Sequence, residues 1–331
     1  MNYIGMDIHK QFTVAVVKDE QGTEIAEEKF ANSKNNFSEF LSNYPKYDTK
    51  IVIESTGVWE YIYDILEEMQ YEVKLANPVR TRAIAEARIK TDSVDASTLA
   101  DLLRANLVAE SYIPPKEVRR LREIVRERNV FVKQTTQIKN RIHALLVKRG
   151  MKLPTKTLCN SARLWLREQS DVQGMLKHYL NLLDYHEQEL DVLEKEIGTI
   201  AATNSDAHLL MTIPGIASIR AMDLLAEIGE INRFPTADKL CSYAGLVPSV
   251  RQSGSTLHFG KLIKQSSKAL KHVLVETSWN LVSTREGNPL QEFYKKLAKK
   301  KGKQKAICAT AHKLCKVVHA MLTKQREFMV L

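Results

Sequence analysis

The sequence has only four cysteines in 331 residues, Cys159, Cys241, Cys308 and Cys315, and they lack the close spacing of a zinc site. They read as reduced thiols of a cytosolic protein, with neither a disulfide framework nor a structural metal. No apolar run approaches the ~20 residues that cross a bilayer. The start shows no basic segment leading into a short apolar one of the secretory kind. These absences predict a soluble, cytoplasmic chain. Acid is also in short supply: 39 Asp and Glu face 49 Lys and Arg, a net charge of +10. That excess favours a polyanionic partner, and DNA, RNA and an acidic membrane surface all answer to it. With 44% hydrophobic residues the chain has ample material for cores. Its length predicts two or three domains of roughly 150 residues each.

What is present begins at Tyr3-Ile4-Gly5-Met6-Asp7-Ile8-His9-Lys10, which runs into Phe12-Thr13-Val14-Ala15-Val16-Val17. Two β-rich segments flank a short polar break, the pattern of a hairpin. Asp7 ends the first, largely apolar strand, where an unpaired charge is expensive, and a metal would compensate it. Further on, Glu24 to Phe30 reads as a strand and Asn35 to Leu41 as a helix. Lys50 to Glu54 is a short apolar strand ending in a second carboxylate. Val58 to Met69 reads as a helix, Tyr71 to Leu75 as a strand, and Val79 to Ala87 and Asp92 to Arg104 as helices. Strands followed by alternating strands and helices predict a mixed α/β sheet domain. Asp7 and Glu54 end strands, where sites of open α/β sheets collect, and Asp92 and Asp95 share one helix face. Four carboxylates from three elements can therefore converge, which suits a two-metal site for phosphoryl transfer with hard oxygen ligands for Mg²⁺. Solvated surface acids are the plain alternative, most of all for Asp92 and Asp95 at a helix start.

Pro114-Pro115 ends this region. From Lys116 to about Lys152 the chain is helical and basic, with Arg119, Arg120, Arg122, Arg126, Lys133, Lys139 and Arg141 among its cations and an apolar stripe between them. So one-sided a helix points to phosphates, although a charge run is usually a solvated face. Asn181 to Ile200 carries a heptad seam, too short for a free coiled coil, which predicts pairing with the basic helix or with another subunit. His186 on that seam reads as a core histidine. Leu209 to Ala217 followed by Ala221 to Ile228 has the outline of a helix-hairpin-helix around Pro214-Gly215, an element whose turn amides hold a phosphate; a simple helical turn in a core is the alternative. Pro248 to Thr256 reads as a polar loop containing Arg251 and Ser253, which composition alone never singles out. Lys261, Lys264, Lys268 and Lys271 are expected on a basic helix after it. Lys295 to Lys305 is a second phosphate-seeking segment, and Ala306 to Lys324 a last helix.

Six motifs in order carry a resemblance: Tyr3-Ile4-Gly5-Met6-Asp7, Ile53-Glu54-Ser55-Thr56-Gly57, Lys90-Thr91-Asp92-Ser93-Val94-Asp95-Ala96, Ile213-Pro214-Gly215-Ile216, Tyr243-Ala244-Gly245-Leu246-Val247-Pro248 and Gln252-Ser253-Gly254. Together they resemble the DEDD transposases of insertion sequences, the family called "one-ten", over nearly the whole chain. It departs from the family pattern at Ala217, Ser266-Ser267 and Lys271. The resemblance implies an RNase H-like (RuvC-like) catalytic domain over 1–112, with Asp7, Glu54, Asp92 and Asp95 holding Mg²⁺, or Mn²⁺ in its place. It implies a helical basic and coiled-coil region over 113–203, and a mostly α transposase domain over 204–331 with Ser253 as nucleophile. It further implies donor and target double-stranded DNA as substrates, a structured bridge RNA as guide, a dimer that joins into a tetramer, a composite active site, and a prokaryotic, nucleoid-associated setting. Two rivals stay open. One is a RuvC-like metal nuclease or Holliday-junction resolvase without a serine intermediate. The other is a non-catalytic DNA- or RNA-binding protein. An actin-like or sugar-kinase ATPase needs a Gly/Thr phosphate turn after Asp7, and Ile8-His9-Lys10 is not one.

Overall fold

The computed structural model describes residues 1–85, 91–169, 174–253, 256–284 and 287–328. The chain divides into two compact units, Met1–Ile113 and Pro114–Leu331.

The first unit is a mixed α/β sheet with helices on both faces. Its elements are β1 (Asn2–Ile8), β2 (Phe12–Lys18), β3 (Glu24–Ala31), α1 (Lys34–Leu41), β4 (Thr49–Glu54), α2 (Trp59–Glu68), β5 (Glu72–Ala76), α3 (Pro78–Ile84) and α4 (Asp92–Arg104). The spatial order is β3-β2-β1-β4-β5. Strands β1, β2 and β3 form an antiparallel meander, and β4 and β5 join parallel to β1. This architecture is consistent with an RNase H-like domain. Strand β1 is central and buried on both faces, which is why it reads as a continuous apolar run. Ile4, Met6 and Ile8, with Ile51 and Ile53 of β4, face Phe37 and Phe40 of α1 and Ile62 and Leu66 of α2. The opposite face carries Val14 and Val16 of β2 against Ala96, and Val52 of β4 against Leu99 and Leu103. Helix α4 therefore lies on that second face. Lys18 holds it further along, its Nζ 2.6 Å from Asp101 Oδ2. Thr91 caps α4 by accepting from the Val94 amide. The helix expected over Val79–Ala87 is present as α3 up to Ile84; residues 86–90 lie outside the described residues.

The second unit is mostly helical: α5 (Lys116–Lys148), α6 (Asn160–Glu168), α7 (Met175–Ala202), α8 (Ser205–Met211), α9 (Ser218–Ile228), α10 (Ala237–Tyr243), β6 (Pro248–Ser253), β7 (Thr256–Leu262), α11 (Lys268–Ser283), α12 (Pro289–Lys301) and α13 (Lys303–Lys324). At 33 residues, α5 is about 50 Å long at 1.5 Å per residue. Helix α7 lies antiparallel along it. At one end Ile138, Ile142 and Leu146 pack on Leu176, Leu180 and Leu183. At the other, Val125 meets Ile197 and Ala201 in the larger core around α9, α11 and α13. His186 packs its ring 5.2 Å from that of Phe131, on the α5–α7 seam. Helix α9 is buried over all of Ala221–Ile228. Among the described residues no helix is long and apolar enough to cross a membrane.

Two local expectations are corrected, and two further segments prove to be helical. The segment read as a polar loop is a two-stranded antiparallel hairpin, with Val250 opposite Phe259 and Ser253 opposite Thr256. Lys261 and Lys264 are not on a helix: Lys261 is in β7 and Lys264 in the connection to α11, which begins only at Lys268. The basic tail is helix as well, divided by Gly302, whose positive φ of 80° closes α12 before α13 begins. Helix α6 fills a stretch from which no element was expected.

Candidate active site

The site starts with a glycine. An added Cβ at Gly5 would stand 2.0 Å from the carbonyl oxygen of Ala96 and 2.5 Å from the amide nitrogen of Ala100. Helix α4 thus rests directly on the backbone of β1, and only the residue without a side chain admits it there. Asp7 is two residues on along the same face of the strand. Asp92 and Asp95 occupy the first turn of α4, where the helix dipole favours carboxylates. Close packing at Gly5 is what brings the helix start to the strand end.

Asp7 is 9% exposed. Burial pushes its carboxyl above the usual carboxylate range; His9 opposes that shift, and the charges of Asp92 and Asp95 add to it. His9 Nε2 stands 3.1 Å from Asp7 Oδ2 and 3.3 Å from Asp92 Oδ1. One donor atom from each of Asp7, His9 and Asp92 falls within a common 4.8 Å. Asp95 acts on Asp7 through charge, outside that trio. Glu54 is also outside it. Glu54 ends β4 just past the Met6–Ile53 pairing, level with Asp7 on the face that α4 covers. The donor chemistry fits a divalent cation: hard carboxylate oxygens, a buried anion, and like charges that repel until one is neutralised. His9 was missed by sequence reasoning. Its signal was the Asp-x-His spacing, which keeps an imidazole just past the end of β1 within reach of the Asp7 carboxylate.

The candidate nucleic-acid residues are in the second unit. Several have acidic or carbonyl partners there. Arg126 grips Glu227 with two hydrogen bonds, of 2.8 and 3.1 Å. Arg122 donates to the carbonyls of Ala226 and Glu227 at the end of α9, and burial lowers its pKa. Arg120 is 3.7 Å from Glu196 and Lys139 is 2.9 Å from Glu187. Arg119 is half-buried near the start of α5, while Lys133 and Arg141 are exposed on it. Gly215 sits in the α8–α9 turn at φ +84°, with Thr284 beside the place of a Cβ. Arg251 and Lys261 are exposed on the β6–β7 hairpin, as are Lys264 and Lys268 after it, and Lys271 is half-buried on α11. Ser253 is the last residue of β6, opposite Thr256 of β7.

Two family models match the chain. Residues 4–149, the sheet and α5, match the DEDD transposases of the IS110 type. Residues 207–295, from α8 into α12, match the transposases of the IS116/IS110/IS902 family. The chain belongs to the IS110 family of transposases. It is 28% identical to the pilin gene-inverting protein of Moraxella bovis over 98% of this chain and 97% of that one. The transposase for insertion sequence element IS1328 of Yersinia enterocolitica is 21% identical over 98% of each. The transposase for IS1111A of Coxiella burnetii is 24% identical over 84% of this chain and 79% of that one. As an IS110-family transposase the chain is a DNA-binding enzyme of DNA transposition. A DEDD domain suggests divalent metal use, and the Asp7–His9–Asp92 group fits it.

Proposed function

We propose that this IS110-family transposase is an RNA-guided DNA recombinase that cuts and rejoins strands through Ser253, with a Mg²⁺ site at Asp7, Glu54, Asp92 and Asp95. The observation that carries the reading is the buried Asp7 meeting Asp92 beside Asp95 at the mouth of the sheet. Such a cluster of acids works against the fold unless a cation uses it. A bound Mg²⁺ supplies positive charge against the scissile phosphate.

The chain's own residues divide the remaining work. Asp7 and Glu54 fix the floor of the site from the sheet, and Asp92 and Asp95 close it from α4. Ser253 Oγ forms a bond to phosphorus as the bond to one deoxyribose oxygen breaks; the serine proton passes to solvent and the freed oxygen takes one up. The covalent phosphoserine keeps the bond energy for rejoining. The similarity to a protein named for gene inversion supports such a mechanism, because an inversion leaves every cut end rejoined. The helix-hairpin-helix reading of α8 and α9 gives the Gly215 turn a phosphate to hold. The exposed cations of α5, the hairpin and α11 take up DNA and the bridge RNA. Guidance by bridge RNA, the three-part division at 112 and 203, and a dimer-to-tetramer assembly with a composite site follow from the family resemblance.

The test is a strand-exchange assay with Mg²⁺, the element's flanking transcript, and paired donor and target DNA, read on a denaturing gel for protein attached to DNA. The wild type is expected to give an adduct that needs Mg²⁺ and the transcript, and Ser253→Ala to give none. Cleavage that persists in Ser253→Ala without an adduct overturns the serine mechanism and leaves a metal nuclease.

A further inference from the structure

We propose that His9 is itself a ligand of the divalent ion, through Nε2, beside Asp7 and Asp92. This deepens the metal-site reading above and rests on it. The argument begins with spacing. Nε2 is 3.1 Å from an Asp7 oxygen and 3.3 Å from an Asp92 oxygen. Adjacent ligands around an octahedral ion with bonds of ~2.1 Å stand roughly 3 Å apart. Both spacings from Nε2 are those that one shared ion imposes, and the two aspartate oxygens lie within 4.8 Å of each other. A hydrogen-bonding role fits less well, because a single N–H would have to serve two carboxylates on different elements.

The ring is also held in place. It stacks on Phe12, with centroids 4.5 Å apart and planes inclined by 30°. Phe12 carries Lys29 Nζ 3.8 Å from its ring centre. The His9 amide donates to the Phe12 carbonyl at 2.9 Å, which closes the β1–β2 turn. Asn32 then braces that turn: its Nδ2 donates to the His9 carbonyl at 2.7 Å, and its Oδ1 accepts from the buried Thr13 hydroxyl at 2.7 Å. A loop histidine fixed from both its ring and its backbone is organised as metal ligands are, through the groups behind them. An imidazole donor also shifts ion preference. Oxygen-only sites suit Mg²⁺, whereas imidazole favours ions that accept nitrogen. His9 should therefore raise affinity for Mn²⁺ relative to Mg²⁺.

The experiment uses the full chain and Mn²⁺, without DNA. Mn²⁺ binding is followed by loss of the free-ion electron paramagnetic resonance signal, with Mg²⁺ as competitor. Pulsed measurements on the bound ion look for coupling to a directly ligated imidazole nitrogen. The wild type is expected to show that coupling. His9→Gln should lose it, bind Mn²⁺ at least tenfold more weakly, and lose less for Mg²⁺, with unchanged melting in chelator. If Asp7→Asn abolishes Mn²⁺ binding and the bound wild-type ion shows no nitrogen coupling, His9 is not a ligand while the metal site stands. If wild type and Asp7→Asn bind Mn²⁺ alike, or neither binds it, the metal-site reading falls and His9 with it. The nitrogen coupling is read on the wild type, so the test survives a variant that fails to fold.

Discussion

Replacing Gly5 by alanine adds one methyl group and should dismantle the site. The added carbon would lie 2.0 Å from one backbone atom of α4 and 2.5 Å from another, where ordinary contact begins at 3.4 Å. Both neighbours are helix backbone, which has no rotamer to change, so α4 has to lift or tilt as a body by more than an ångström. Overpacking a core costs ~1–3 kcal/mol, and a clash with backbone at two points belongs at the upper end. About 3 kcal/mol is roughly a hundredfold in an equilibrium constant. The displaced helix takes Asp92 and Asp95 with it, because both ride its first turn. Hydrogen exchange read by mass spectrometry on the full chain is the assay. Peptides over Asp92–Arg104 should lose roughly a hundredfold of protection, those over α9 and α13 should not change, and Mn²⁺ binding should weaken. Gly57→Ala is the control: its Cβ meets nothing within 4 Å, and the change should stay within about 0.5 kcal/mol. Wild-type protection of α4 together with unchanged Mn²⁺ affinity in Gly5→Ala would refute the claim that this glycine positions the acids.

Three further outcomes are expected. Asp7→Asn removes a buried charge from beside Asp92 and Asp95, so in chelator it should melt above the wild type, by about 2–4 °C for ~1 kcal/mol. A hundredfold excess of Mn²⁺ over its Kd adds ~2.7 kcal/mol to the wild type alone and should reverse the order; the same order in both buffers would speak against a metal at Asp7. Asp223 has its pKa raised by burial, against the opposing charge of Arg220 and a hydrogen bond from Asn129. A raised folded pKa contributes stability that is fully present below the unfolded value and is lost as pH rises through the folded one. The stability of Asp223→Asn relative to wild type, from urea titrations, should therefore grow as pH climbs from below 4 through that raised value, and a flat difference would contradict the shift. Cys159 has its thiol lowered to about 7 by hydrogen bonding with the Ser161 hydroxyl, with the Ala162 amide and with the Thr155 hydroxyl. Iodoacetamide at neutral pH should label it ahead of the buried Cys241 and Cys315, as peptide mass spectrometry will show.

Much of the first unit is legible in the sequence because its elements obey simple periods. Strand β1 is apolar between polar ends, α1 and α2 put Phe37, Phe40, Ile62 and Leu66 on single faces, and Thr91 announces α4. The approach of Asp92 to Asp7 is legible too, since strand ends and helix starts are where acids can meet. His9 escaped because a lone histidine after a strand looks like loop, and only the fold shows what its ring faces. The β6–β7 hairpin escaped for a different reason. Its strands pair with each other and bury little: Val250, Leu257 and Phe259 are 55%, 48% and 69% exposed. No core imposes the alternation that would mark the segment as strand. Helix α6 is nine residues long with only Ala162 and Leu166 buried, too short a pattern to separate from loop.

The basic helix shows what charge counting leaves out. Arg120, Arg126, Arg128 and Lys139 of α5 meet Glu196, Glu227, Glu194 and Glu187, acids on α7 and α9 that stand far along the chain. Glu227 is 2% exposed and also accepts from the Ser267 hydroxyl. Removing Arg126 strands a buried carboxylate, a change that costs stability before it touches any phosphate contact. Loss of DNA binding in Arg126→Ala would therefore report on the fold. Lys133 and Arg141 are exposed on the same helix and allow the cleaner measurement. Each phosphate contact contributes ~0.9 to the slope of log affinity against log salt on duplex DNA. The Lys133→Gln, Arg141→Gln double variant should flatten that slope by about 2 units and keep the wild-type melting temperature, whereas Arg126→Gln should lower the melting temperature and leave the slope of the folded fraction as it was. A slope unchanged in the double variant would place the nucleic acid on another surface, and the positive charge of α5 would then serve chiefly to hold α7 and α9.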